Sequence, residues 1–155
     1  MRRTTVARQS KSKRRCGTKP NSELPELVFW IDRSIGRHIV PAALRKTGRQ
    51  VKHHDDEFPE NAEDVDWLPI VGSRGWIIIT QDHRIRTRPN ERRAYQAAGA
   101  RVFIVTASGL TGRELAELLV TKLRRIEEFV QNQPPGPFMA RINRSEIVLY
   151  DVTTD

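Results

Sequence analysis

The sequence is poor in cysteine and in long apolar segments, and each shortage excludes a class of protein. Cys16 is the only cysteine in the 155 residues, so no disulfide can form within the chain. No apolar run reaches the roughly 18 residues that a membrane-spanning helix needs. The basic N-terminus is not followed by the apolar core of a secretory signal. We therefore expect a cytoplasmic protein with one compact domain and no membrane partner.

Acidic residues are missing from the N-terminal segment, which carries the positive excess of the chain. The net charge is +8, and eight of the 27 Lys and Arg residues lie in residues 1–19, where there is no Asp or Glu. The other 19 equal the number of acids, so the rest of the chain is neutral on balance. We predict a basic, disordered tail over 1–22 and a folded domain over 23–155. The tail either binds phosphate backbones nonspecifically or is a leader without function, including a start assigned too far upstream.

Apolar runs and helical periodicity alternate along the rest of the chain. Apolar segments without polar alternation predict strands buried on both faces, and they lie at 27–31, 76–80 and 101–105. A weaker strand candidate is 50–53, and a hairpin is predicted over 138–151. Helices are predicted at 34–46, 61–71 and 111–131, with a short one ending near Gly99.

Pro41 falls inside the first predicted helix, where it indicates either a late start or a kink. The alternation as a whole predicts an α/β fold, with helices on both faces of a parallel sheet. In such sheets, functional residues collect at the carboxyl ends of the strands.

Two of the apolar strands run into an aspartate. Asp32 directly follows the first strand, and Asp82 follows the second in the segment Thr80-Gln81-Asp82. The helix between them carries Asp66, beside residues expected to pack inward, with Glu63 and Asp64 as further candidates. The plainer interpretation is that each Asp is a turn or cap residue.

Carboxylates that converge on one cleft repel each other, and a hard divalent cation stabilises them. Mg²⁺ and Mn²⁺ favour such oxygen ligands and neutralise charge on a phosphate undergoing hydrolysis. Asp32, Asp66 and Asp82 are therefore the candidate catalytic and metal-binding residues, with Glu63 and Asp64 as possible ligands.

The densest basic run outside the tail, HRIRTRPNERR, begins directly after Asp82. Basic side chains beside an acidic cleft would hold the phosphates that flank a scissile bond. Arg84, Arg86 and Arg88 are the candidate RNA-binding residues. Arg92 and Arg93 are equally explained as a solvated helix face.

A second polar cluster, His53-His54-Asp55-Asp56-Glu57, follows the weak strand. Neighbouring residues on a strand point to opposite faces, so these side chains cannot all converge, and a zinc site is disfavoured. One of its three acids could still lie at the edge of the same cleft.

The order of these motifs resembles the PIN-like domain family, and within it the VapC-related toxin-like proteins. The matching segments are FWIDRSIGRHIVPAALRKTG at 29–48, EDVDWLPIVGSRGWIIITQDHRI at 63–85 and GARVFIVT at 99–106. The resemblance implies a three-layer α/β/α sandwich and an Mg²⁺- or Mn²⁺-dependent ribonuclease. Carried over by position, Asp32, Asp66 and Asp82 are the site acids. The family often has another acid after the last of these, where this chain has His83 and Arg84.

The same resemblance implies a toxin that cleaves single-stranded RNA, a cognate antitoxin as partner and a possible homodimer. A receiver-like phosphoacceptor module is an alternative, although Arg33 follows Asp32 where receivers need a second acid. A noncatalytic nucleic-acid-binding protein is the other alternative. It predicts binding that survives neutralisation of Asp32 and Asp82.

Overall fold

A computed structural model describes residues 26–150. They form a single six-stranded sheet in the order β2-β1-β3-β4-β5-β6, parallel except for β6. The strands are β1 (Val28–Ile31), β2 (Gln50–His53), β3 (Ile77–Thr80), β4 (Arg101–Val105), β5 (Phe138–Ile142) and β6 (Ile147–Leu149). The tail predicted over residues 1–22 lies outside the described residues.

Helices cover both faces of the sheet, which confirms the predicted α/β/α sandwich. They are α1 (Ile39–Lys46), α2 (His54–Glu57), α3 (Asp64–Ser73), α4 (Arg84–Thr87), α5 (Pro89–Ala98) and α6 (Gly112–Asn132). Helices α1 and α6 pack together, as do α3 and α5. Within residues 26–150, no helix is long and apolar enough to cross a membrane.

The apolar runs form strands because each one supplies both layers of the core. Phe29 and Ile31 belong to the cluster that includes residues of α1 and α6, whereas Trp30 belongs to the cluster of α3 and α5. Successive side chains of a strand point to opposite faces, so a strand covered on both sides must be apolar throughout. The predicted hairpin is also confirmed: β6 pairs antiparallel with β5, which itself extends the parallel sheet beside β4.

Two helix starts differ from the predictions. Helix α1 begins at Ile39, after a 3-10 turn at Arg33–Ile35, so Pro41 lies in the first turn, where its missing N–H breaks no helical hydrogen bond. Gly36 separates the two with a φ of 101°. Helix α3 begins at Asp64 and not at 61, because Glu63 and Asp66 form a capping box there.

The register of the sheet sets where the functional residues meet. Ile31 of β1 lies opposite Ile79 of β3 and His53 of β2. Asp32, which follows β1, and Thr80, the last residue of β3, therefore lie side by side at the carboxyl edge.

Candidate active site

Asp32 is the centre of a hydrogen-bond network that joins the ends of β1 and β3. Its Oδ2 accepts from Ser34 N at 3.2 Å, Ser34 Oγ at 2.7 Å and Thr80 Oγ1 at 2.8 Å. Its backbone N donates to Ile79 O at 3.0 Å, and the residue is only 6% exposed. A buried carboxylate needs such donors, and together they fix its position.

Thr80 and Ser34 also position the segment that carries Asp82. Asp82 N donates to Thr80 Oγ1 at 3.0 Å, and Gln81 N donates to Ser34 Oγ at 2.9 Å. The same two hydroxyls therefore hold the Asp32 carboxylate and the backbone before Asp82. This places both predicted aspartates at one edge of the sheet.

Asp82 is bound by the arginine two residues after it. Its Oδ1 accepts from Arg84 N at 2.9 Å and Arg84 Nε at 2.9 Å, and its Oδ2 accepts from Arg84 Nη2 at 3.1 Å. Burial raises the pKa of Asp82, but the hydrogen bonds from the Arg84 side chain and backbone outweigh that effect. The pKa of Asp82 is therefore held below its usual value.

The helix acid that shares this site is Asp64. Its Oδ1 accepts from Trp67 Nε1 at 3.1 Å. The pKa of Asp64 is raised to about 7, chiefly by burial and then by the negative charges of Asp32, Glu91 and Asp82, in that order of strength. Three carboxylates therefore lie close enough to Asp64 at the sheet edge to affect its charge.

Asp66, the helix acid predicted from the sequence, lies elsewhere. It is exposed, and its Oδ2 accepts from Glu63 N at 3.0 Å, closing the capping box of α3. Residues 64 and 67 share a face of α3, whereas residue 66 is turned by about 200° from residue 64. Since Trp67 packs into the core, Asp64 is turned toward the sheet and Asp66 is not.

Glu91, on the first turn of α5, is a site residue that the sequence reasoning missed. It is 9% exposed, its Oε1 accepts from Arg88 Nη1 at 2.9 Å, and its Oε2 is buried with no hydrogen-bond partner in residues 26–150. The signal in the sequence was an acid nine residues after Asp82, inside the basic run. Because its charge raises the pKa of Asp64, Glu91 is the candidate for the fourth acid of the site.

Each predicted RNA-binding arginine has an internal partner. Arg84 binds Asp82, Arg88 binds Glu91, and the Arg86 guanidinium lies 4.4 Å from the centre of the Tyr150 ring. Arg33 donates to the carbonyls of Glu60 and Ala62, which holds the loop before α3 against the 3-10 turn.

The histidine cluster caps a helix and packs against aromatic rings of the core. His53 Nδ1 accepts from Asp55 N at 3.1 Å, and His54 Nδ1 bonds Asp55 Oδ1 at 3.0 Å. His54 packs its ring against Trp30, Phe58 and Trp67. Both histidines are buried, and the cluster caps and anchors α2.

The donor chemistry of the acidic edge fits a hard divalent cation. All four side chains offer carboxylate oxygens, one of them has a raised pKa, and the buried Glu91 Oε2 lacks a partner. Among the described residues, however, no three His, Cys, Asp or Glu side chains converge closely enough to hold an ion as they stand. Asp82 has both oxygens engaged by Arg84, so occupation by a cation requires a local rearrangement.

Comparison with known proteins gives one match. Residues 27–107 match the PIN like domain family, a segment that includes Asp32, Asp64, Asp82 and Glu91. No curated protein and no solved structure matches the chain. The matched segment covers more than half of the sequence and carries a nuclease-type fold. The chain belongs to the PIN-like domain family.

Proposed function

We propose that this protein is a metal-dependent endoribonuclease that hydrolyses RNA phosphodiester bonds. The observation that carries the proposal is the raised pKa of Asp64, caused by burial and then by three neighbouring carboxylates at the carboxyl edge of a parallel sheet. Such crowding disfavours the charged state of the free protein and favours a bound cation. PIN domains generally use divalent metals, which agrees with this chemistry.

The acids of the site would bind the metal ion, and the arginines beside them would bind the RNA. Asp32, Asp64, Asp82 and Glu91 would hold Mg²⁺ or Mn²⁺, and Thr80 and Ser34 orient the first of these acids. An ion held by these acids would lower the pKa of a water molecule bound to it and would neutralise charge on the scissile phosphate. Arg84 and Arg88 bind two of the acids at this edge, and together with Arg86 they would attract the RNA backbone.

The test is cleavage of end-labelled single-stranded RNA by the purified full chain. We expect cleavage with Mg²⁺ or Mn²⁺, none with a chelator, and products with 5′-phosphate and 3′-hydroxyl ends. The Asp82→Asn variant is the control for contaminating nuclease, because it removes one charge and keeps the shape. The proposal would be falsified if the wild-type protein and Asp82→Asn left RNA equally intact with both metals. Binding of RNA that persists in that case would favour a noncatalytic role.

The toxin role rests on the resemblance of the sequence motifs and is also a proposal. If it holds, expression of the wild-type chain arrests growth of a bacterial host, and expression of Asp82→Asn does not. A cognate antitoxin would restore growth. Equal growth with both chains, at equal protein levels, contradicts a toxin role without bearing on cleavage in vitro.

Thr80 gives a more specific prediction about positioning. Thr80→Val removes the hydroxyl that donates to Asp32 and accepts from Asp82 N, while keeping the side-chain shape. Removal of a group that orients a metal ligand lowers metal affinity or activity by about 10- to 100-fold, so we expect the rate of cleavage to fall in that range. Thr80→Ser keeps the hydroxyl and should retain most of the activity. Equal activity of the Val and Ser variants would contradict the positioning role.

A further inference from the structure

Two of the four acids of the site form ion pairs with arginine side chains. Arg84 binds both oxygens of Asp82 at 2.9 and 3.1 Å, and Arg88 binds one oxygen of Glu91 at 2.9 Å. The arginine side chains are 65% and 48% exposed, whereas those of the acids are 20% and 11% exposed. The acids are thus built into the fold, and the arginines reach them from the surface.

Arg84 occupies most of the hydrogen-bonding capacity of the Asp82 carboxylate. Oδ1 already accepts two hydrogen bonds from Arg84, and Oδ2 accepts a third. An ion on the free side of Oδ2 would lie a few ångströms from the guanidinium, where like charges repel strongly. The two cations therefore compete for the carboxylate.

Arg84 is the partner that can move. Its side chain is largely exposed, so moving it uncovers no part of the core. Asp82 is fixed by the bond from its backbone N to Thr80 Oγ1. A guanidinium displaced from a carboxylate would remain beside the acidic edge, where its two parallel donors match a phosphate as well as they match a carboxylate.

We propose that Arg84 is an exchangeable counter-ion: it occupies Asp82 in the ion-free protein, gives way to a divalent cation, and then binds a phosphate of the RNA. The inference rests on the proposed function and adds a mode of regulation to it. Since the ion displaces Arg84 from Asp82 and the phosphate binds the displaced Arg84, each should strengthen the binding of the other, and by the same factor. Arg84 then weakens the binding of a divalent cation when no RNA is bound.

The first test is the affinity for Mn²⁺ without RNA, measured from the electron paramagnetic resonance signal of the free ion. Arg84→Gln should bind Mn²⁺ about fivefold more tightly than the wild-type protein, because nothing competes for Asp82. Arg45→Gln is the matched control, since Arg45 makes a surface pair with Asp56 at 3.3 Å. It should bind Mn²⁺ like the wild type. Arg84→Lys keeps the positive charge but lacks the two parallel N–H donors. Its affinity for Mn²⁺ should lie between those of the wild type and Arg84→Gln.

The second test is the coupling with RNA, measured by fluorescence anisotropy of a labelled 2′-O-methyl RNA oligonucleotide with and without Mn²⁺ at constant ionic strength. Mn²⁺ should tighten oligonucleotide binding in the wild type and in Arg45→Gln, and much less in Arg84→Gln. Suppose that the wild-type protein binds Mn²⁺, that Asp82→Asn weakens this binding and that Arg84→Gln leaves it unchanged. The exchange of Arg84 for the ion would then be wrong, and the proposed function would stand. If neither the wild-type protein nor Arg84→Gln binds Mn²⁺, with or without the oligonucleotide, both are wrong.

Discussion

Replacing Asp32 by Asn is expected to lower RNA cleavage by about a hundredfold or more while the chain stays folded. The amide can still accept from Ser34 and Thr80 through its oxygen, so the network between β1 and β3 is largely kept. The charge that holds a divalent cation is lost, however. If the ion contributes about 3 kcal/mol to the transition state, its loss amounts to about two orders of magnitude in rate.

The matched control for Asp32→Asn is Asp66→Asn, which makes the same chemical change at the exposed end of α3. Asp66 accepts from Glu63 N in the capping box, so its replacement should cost about 0.5–1 kcal/mol of stability and little activity. Initial rates of RNA cleavage and thermal unfolding by circular dichroism measure the two effects. A hundredfold loss of activity in Asp66→Asn would show that Asp66 belongs to the active site. It would contradict the assignment of Asp64 as the helix acid of that site.

The strand aspartates could be predicted from the sequence because the signal that places them is local. The apolar run before Asp32 stops at that residue, and the predicted strand 76–80 stops two residues ahead of Asp82. Parallel pairing then brings the ends together without further information. For these residues, the sequence predicted the sheet and the position at its edge.

The helix acid could not be placed in the same way. Asp64 and Asp66 are two residues apart in a helix, so the phase of the helix decides which of them faces the sheet. That phase depends on where α3 begins, and helix starts are set by capping contacts such as the one between Glu63 and Asp66. The spacing of Asp64 to Trp67, three residues, was the available signal.

Glu91 and the arginine partners were missed in the sequence for a different reason. The basic run appears as a surface for phosphates, because its net charge is positive. Only the fold shows that Arg84 and Arg88 turn back onto Asp82 and Glu91. Pairing between side chains depends on rotamers and on the short helices α4 and α5, which the linear sequence does not specify.

Asp64→Asn is expected to lower cleavage by about a hundredfold and, unlike the Asp32 variant, to stabilise the protein at neutral pH. The Asn oxygen can still accept from Trp67 Nε1, so the packing of α3 is kept. The variant no longer places a negative charge among those of Asp32, Glu91 and Asp82. The fold loses a repulsive group, and the site loses a ligand.

The pH dependence of stability distinguishes this effect from a packing change. Well below the ordinary pKa of 3.8, Asp64 is protonated in both the folded and the unfolded chain, so the wild type and Asp64→Asn should be equally stable. Between about pH 4 and the folded pKa of about 7, only the unfolded chain releases the proton, so wild-type stability falls as pH rises. Above that, the variant should be more stable by about 1–3 kcal/mol, a figure reduced for partial exposure to solvent.

Urea unfolding at pH 4, 6 and 8 measures this difference, with Asp66→Asn again as the control. Adding Mg²⁺ at pH 8 should narrow the gap between the wild type and Asp64→Asn, because an ion stabilises only the chain that keeps its full set of charges. A gap that is the same at all three pH values would mean that Asp64 acts through packing alone. A gap that opens with pH and closes with Mg²⁺ identifies Asp64 as an acid that weakens the ion-free fold and binds the ion.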